Sequence, residues 1–240
     1  MNVSIKLTSI VAHIDDLERG EAVAAAMDRL RPILRAGKLQ RAFINVDMEH
    51  YAIKDLTIDM FKRILCESEF ATWPDCGIVI QAYLRDSERD LASLIDWVRD
   101  RGAPITVRLV KGAYWDSESA AARAENREPP VYCEKWQSDA SFERLSRMML
   151  DNADVMRPAL GSHNVRSIAS ALAYERALGL PPRTLELQML TGMGEPLQRA
   201  LVAMGQRVRI YAPFGDLLPG MAYLLRRLIE NTANVSFLRQ

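Results

Sequence analysis

Short β-rich apolar runs punctuate this chain at residues 3–10, 42–47, 77–84, 105–110, 156–161, 185–190 and 208–212, and helical patterns fill the intervals. Such alternation is the signature of βαβ units, whose strands run parallel and whose crossovers need helices. Spacing identifies the helices. Leu91, Leu94, Ile95 and Val98 recur at i, i+3, i+4 and i+7, Ser87 with Asp90 three residues on reads as the cap, and Gly102 reads as the stop. Residues 56–65 repeat the pattern, and residues 165–178 and 196–204 supply two more. Only residues 111–137 break the rhythm, a long connection holding Glu128-Pro129-Pro130, and long connections are more often functional than accidental.

An alternating chain closes as a barrel or stays open as a doubly wound sheet. The second usually has about five or six strands and a Gly-rich first turn, which is missing here. A single barrel is expected, and 240 residues suit one with no linker to divide it. Hydrophobic residues make up 49% of the chain, enough for a sizeable core and too many for a disordered protein. Lys+Arg and Asp+Glu are 31 each, so no basic excess offers itself to nucleic acid. No run approaches the roughly 18 apolar residues that span a bilayer, and the first residues lack the pattern of a signal peptide. Cys66, Cys76 and Cys133 form no C-x-x-C pair, which argues against a disulfide framework and for the cytoplasm.

In a parallel barrel the active site lies where the strands end, and nearly every run here carries a polar residue near its carboxyl end. They are Lys6; Asp47 followed by Glu49 and His50; Gln81; Arg108 and Lys111; Ser162, His163 and Asn164; Gln188; and Tyr211. A bland reading exists for any one of them: Lys6 or Gln81 would serve equally as a barrel-interior polar group with a hydrogen-bonded partner. Asp47, Glu49, His50 and His163 also include ligand types for a divalent metal, although neither H-x-H nor H-E-x-x-H occurs. Gly192-Met193-Gly194 lacks the third glycine of a dinucleotide fingerprint and reads as a turn entering a helix at Pro196.

The last helical pattern is two-faced. Tyr223, Arg226, Arg227 and Glu230 fall within a sector of roughly 100°, with Leu224, Leu225, Leu228 and Ile229 opposite. A polar face of this kind commonly meets water. Adjacent arginines, however, suit fork-like binding of a carboxylate or phosphate, a task Lys does less well.

Three runs resemble the flavin-dependent proline dehydrogenases: residues 107–116 (VRLVKGAYWD), 188–194 (QMLTGMG) and 223–231 (YLLRRLIEN). The likeness spans essentially the whole chain and is greatest to the proline dehydrogenase domain of the bacterial bifunctional proline-utilisation enzymes. It implies an α/β fold, a distorted (βα)8 TIM-like barrel carrying FAD across its carboxyl face. The implied reaction oxidises L-proline at the ring carbon next to nitrogen, yields Δ1-pyrroline-5-carboxylate and sends the electrons to a membrane quinone.

By the same resemblance, Lys6, Arg226 and Arg227 hold the substrate carboxylate, and Tyr211 and Tyr223 pack beside the pyrrolidine ring. Asp47 matches the active-site acid and orients Lys6 or neighbouring groups. Arg108 lies against the flavin near its reactive nitrogen, and Gln81 bonds the pyrimidine edge. Lys111, Gly112, Tyr114 and Trp115 meet the ribityl and adenylate portions, and His163 and Asn164 the pyrophosphate. Met48, Ser138, Gln188 and Glu230 are further flavin contacts.

The family's first barrel strand precedes the stretch that begins here at Val3, so a barrel lacking its first strand is expected. The family also implies a peripheral contact at the inner face of the membrane and a fused aldehyde dehydrogenase domain. Two alternatives stay open: an inactive fragment of a larger bifunctional enzyme, and a metal-dependent barrel hydrolase using Asp47, Glu49, His50 and His163.

Overall fold

In a computed structural model, which describes residues 1–215 and 221, seven strands form one parallel sheet whose order follows the chain. The strands are β1 (Asn2–Ile5), β2 (Phe43–Val46), β3 (Cys76–Gln81), β4 (Ile105–Val110), β5 (Met156–Gly161), β6 (Glu186–Leu190) and β7 (Arg207–Tyr211). A doubly wound sheet would reverse its strand order at a switch point. Here the order never reverses, so the winding is that of a barrel.

Side-chain contacts require the sheet to curl. In a flat sheet β2 and β7 would stand about 24 Å apart, five spacings of about 4.8 Å. Yet Tyr211 Oη on β7 donates to Asp47 Oδ2, just beyond β2, at 3.1 Å, and Arg108 on β4 reaches Ser4 Oγ on β1 at 3.3 Å. The described strands therefore wrap around a shared interior, seven of the eight that a closed (βα)8 barrel has.

Strand alternation divides two environments. On the outer face Ile78 and Ile80 of β3 and Ile105, Val107 and Leu109 of β4 are buried in the main apolar core. The inner face carries Ser4, Asn45, Arg108, Glu186, Gln188 and Arg209, joined by hydrogen bonds. The hydrophobic core thus lies between sheet and helices, leaving the barrel interior polar.

The helices supply the other side of that core. They are α1 (Leu7–Ile10), α2 (Arg19–Leu39), α3 (Lys54–Leu65), α4 (Ser87–Arg101), α5 (Trp115–Ala124), α6 (Lys135–Asp151), α7 (Val165–Ala177) and α8 (Glu195–Ala203). Along α2, Ala22, Ala26, Leu30, Leu34 and Gly37 form one buried stripe. Its last member is a glycine for a steric reason: a Cβ there would stand 2.7 Å from Ile44 Cγ1.

Several boundaries differ from the sequence reading. The run at 3–10 divides into β1 and α1, because the Glu49 carboxylate accepts the Thr8 backbone N–H at 3.0 Å and starts a helical turn. The run at 77–84 ends as a strand at Gln81, where residues 82–84 turn away and Leu84 bridges Val131. Asp86, not Ser87, precedes the first turn of α4, and its carboxylate is engaged by Lys54, Tyr51 and Arg89 instead of the helix N–H groups. The connection at 111–137 contains α5 and is not structureless. Gly102 does end α4 in the left-handed region, with φ +69°.

Lys54 ties α3 to α4. Its side chain is only 2% exposed and its ammonium contacts Asp55, Asp86 and Asp90 at 2.9, 2.8 and 2.5 Å. Burial acts against the charge, but the carboxylates outweigh it and hold the ammonium above its ordinary value of 10.5. Its stabilisation is therefore complete below that value and is lost only as pH rises beyond it. Lys54→Met leaves Asp86 and Asp90 without their buried cation, with only the exposed Arg89 beside them, and we expect a loss of about 3–5 kcal/mol in unfolding free energy, read by urea titration.

Candidate functional site

Period-2 alternation aims a set of side chains into the barrel, and the carboxyl ends of the strands gather the rest. Lys6 and Asp47 immediately follow β1 and β2, Gln81 and Tyr211 are the last residues of β3 and β7, and Lys111 follows β4. Arg108 and Gln188 lie two residues inside the ends of β4 and β6.

Arg108 is the hub. Its side chain is 9% exposed and pairs with Asp47 Oδ1. It also donates to Gln188 Oε1 at 3.1 Å and to Ser4 Oγ at 3.3 Å, and its guanidinium carbon stands 5.4 Å from the centre of the Tyr211 ring. A planar fork of five donors fits such a surround better than an ammonium would. Asn45 Nδ2 donates to Asp47 Oδ1 at 3.0 Å. Asp47 thus bonds Arg108 through one carboxylate oxygen and Tyr211 through the other.

Lys6 Nζ donates to Tyr114 Oη at 3.4 Å, linking the end of β1 to the loop after β4. Glu49, buried, accepts from Thr8 through both carboxylate oxygens, and its carbonyl accepts Gln81 Nε2 at 3.1 Å. With that nitrogen engaged, Gln81 Oε1 is buried and has no hydrogen-bond partner among the described residues. A buried acceptor in that state costs free energy unless a donor reaches it.

The remaining predicted residues lie around this centre. Lys111 pairs with Asp139 on α6, which also accepts Lys135 Nζ at 2.9 Å. Burial pushes the Lys111 ammonium below its ordinary value even with Asp139 beside it. Gly112 has φ +131°, and a Cβ there would meet the Tyr83 ring at 2.5 Å, so no other residue lets the loop pack this closely. Trp115 Nε1 donates to the Tyr132 carbonyl at 2.8 Å. His163 Nε2 accepts the Leu190 backbone N–H at 3.1 Å, and Asn164 Oδ1 caps α7 through Ser167 N at 2.9 Å. Met48 is buried in the apolar core, and Ser138 is half-buried in the first turn of α6, beside Asp139. Tyr223, Arg226, Arg227 and Glu230 lie outside the described residues.

Sequence reasoning missed Ser4, Asn45, Asp139, Glu186 and Arg209. Ser4, Asn45 and Glu186 sit two positions from Lys6, Asp47 and Gln188, and Arg209 two from Tyr211, so the same alternation would have exposed four of the five. The metal-hydrolase alternative finds no support in the geometry. Glu49 faces Thr8, His163 faces the β6 end and Asp47 faces Arg108; among the described residues no cluster of three or more His, Cys, Asp or Glu could hold a metal ion.

Known proteins share this fold. The family model for proline dehydrogenase matches residues 1–240. The Bifunctional protein PutA of Klebsiella aerogenes is 32% identical over 99% of this chain, which covers 19% of that protein. A proline dehydrogenase of Deinococcus radiodurans is 33% identical over 99% of this chain, here covering 68% of the relative. A crystal structure of proline utilization A (PutA) from Bdellovibrio bacteriovorus, inactivated by N-propargylglycine, superposes with a TM-score of 0.95 at 48% identity, over 99% of this chain and 25% of that one. The chain thus spans about a fifth of the length of the bifunctional relative. With the match running from the first residue to the last and the curled parallel sheet in common, this chain belongs to the proline dehydrogenase family.

Proposed function

We propose that this chain oxidises L-proline with a bound FAD, giving Δ1-pyrroline-5-carboxylate, and that the electrons pass to a quinone. The observation that carries the flavin reading is the buried Gln81 Oε1 at the end of β3, which has no donor among the described residues, beside the strand that holds the fixed guanidinium of Arg108. An imide N–H on a flavin pyrimidine edge is the kind of donor that oxygen lacks. Family membership supports the same reading, since proline dehydrogenases are in general flavin-dependent.

FAD, when bound, supplies the two-electron acceptor. The chain's own residues then have separable tasks. Lys6, with Arg226 and Arg227, binds the substrate carboxylate, three cations around one small anion. Tyr211 and Tyr223 flank the pyrrolidine ring and limit its size. With FAD bound, proline would give up a hydride from the carbon next to nitrogen to the flavin and a proton from nitrogen to solvent as the C=N bond forms. Orienting that carbon is the work of the carboxylate clamp, and proximity of this kind is a large part of such catalysis. Arg108 places a fixed positive charge where electron density accumulates, and Asp47 holds Arg108 and Tyr211 in register. Lys111, Gly112, Tyr114 and Trp115 serve the ribityl and adenylate parts, and His163 and Asn164 the pyrophosphate at the positive end of α7. Met48, Ser138, Gln188 and Glu230 add flavin contacts. A peripheral membrane contact and a companion aldehyde dehydrogenase activity belong to this reading on family grounds; among the described residues no helix is long and apolar enough to cross a membrane.

Purified protein supplied with FAD should turn yellow, and proline should bleach the flavin band; a colourless protein that takes up no FAD overturns the proposal. Lys6→Met should raise KM for proline about 10- to 100-fold, the worth of a hydrogen bond to a charged group, while flavin content stays at the parental level. Asp47→Asn should lower kcat/KM roughly 10²-fold by loosening Arg108 and Tyr211, as steady-state kinetics would show.

A further inference from the structure

Glu186 lies two residues before Gln188 on β6, on the same interior face, and the two side chains are joined: Gln188 Nε2 donates to Glu186 Oε1 at 2.8 Å. Glu186 also accepts Arg209 Nε and Nη2 at 2.6 and 2.8 Å and pairs with Arg207 Nε at 2.7 Å. We propose that Glu186 is a positioning residue for the redox centre, acting through the Gln188 amide to hold the Arg108 guanidinium in place. The inference rests on the reading that Arg108 lies against the flavin.

Hydrogen-bond polarity is the reason. An ionised carboxylate only accepts and a guanidinium only donates. An amide lying between them has one acceptable orientation, nitrogen toward the carboxylate and oxygen toward the guanidinium. Gln188 adopts it, with Oε1 accepting from Arg108 Nη1 at 3.1 Å. The flipped amide would set N–H against N–H on one side and oxygen against oxygen on the other. Terminal amide torsions are otherwise broad and roughly two-fold, so Glu186 removes a choice that Gln188 would have by itself.

Two further observations fit this role. Burial opposes the charge on Glu186, but the bonds from Arg209 and Gln188, with the nearby Arg207, outweigh it and keep the carboxyl below its usual range. Glu186 is therefore acceptor-only at neutral pH. The β5 residues in register with Glu186 and Gln188 are Ala159 and Gly161, which project little or nothing into the barrel. A Cβ at Gly161 would stand 3.0 Å from Val110 Cγ1 and 3.8 Å from Arg108 Cδ. A residue needed only to tie β6 to β7 would be satisfied by its fork with Arg209. Glu186 accepts a further bond from Gln188, nearer the strand ends, and Gln188 in turn accepts from Arg108.

The test is a double-mutant cycle read on the flavin midpoint potential of the FAD-loaded protein. Glu186→Gln substitutes a group that can donate as well as accept, so the Gln188 amide loses its compulsory orientation. The substitution should change the ratio of reduced to oxidised flavin at fixed potential by tenfold or more, about 30 mV for a two-electron couple. In a Gln188→Leu background the same change should be less than twofold, because the connection is already cut. Equal shifts in the two backgrounds, or no shift in the parent, overturn the proposal. If Glu186→Gln fails to fold, Glu186→Asp, whose shorter arm pulls on the same amide, is read in both backgrounds by the same criteria. A parent that takes up no FAD would overturn the flavin reading and this inference with it. A yellow parent bleached by proline, with a potential indifferent to Glu186, overturns the inference alone.

Discussion

The buried guanidinium of Arg108 is the contact on which the barrel's interior depends. It stands on β4, yet its partners come from the ends or interiors of β1, β2, β6 and β7: Ser4, Asp47, Gln188 and the ring of Tyr211. A cation removed from water is costly unless it is paired and its donors are satisfied. Here satisfaction is possible only when strands distant in the sheet curl toward one another. The interaction that fixes the site is therefore also one that demands the curvature, and the polar interior and the barrel shape are two aspects of one requirement.

The outer face answers to a different force. Burial of β3 and β4 side chains such as Ile78, Ile80, Val107 and Leu109 against the helices supplies the non-directional part of the stability. It does not need a particular hydrogen-bond geometry. Lys54, deeply buried on that side, lies between α3 and α4 with three carboxylates, and its role is to set two helix starts against each other. The chain thus keeps its forgiving packing outside the sheet and its directional bonds inside, where a ligand can be addressed by hydrogen bonds of defined polarity.

Much of this was legible in the sequence. Strands β4 and β5 fall where the β-rich runs lie, α4 ends at Gly102, and the strand-end polar residues do line the interior and the carboxyl ends. Misplaced boundaries share a cause: groups distant in sequence took over local hydrogen bonds. Glu49 captured the N–H of Thr8 and turned the end of the first run into α1, and Val131 drew Leu84 out of line with β3. Glu186 was passed over because a carboxylate at the start of a strand, met alone, has no partner to give it meaning. Arg207 and Arg209 supply that meaning across the β6–β7 ladder.

The sequence by itself determined the alternation of strands and helices, the face each strand residue occupies and the chemical types that collect at the strand ends, because these follow from local periodicity. Tertiary structure alone decided which of those residues meet. Asp47 is 61 positions from Arg108 and 164 from Tyr211. No local pattern relates groups so far apart along the chain; only the curling of a parallel sheet, driven from outside by apolar burial and from inside by a cation that must be paired, brings them within hydrogen-bond reach.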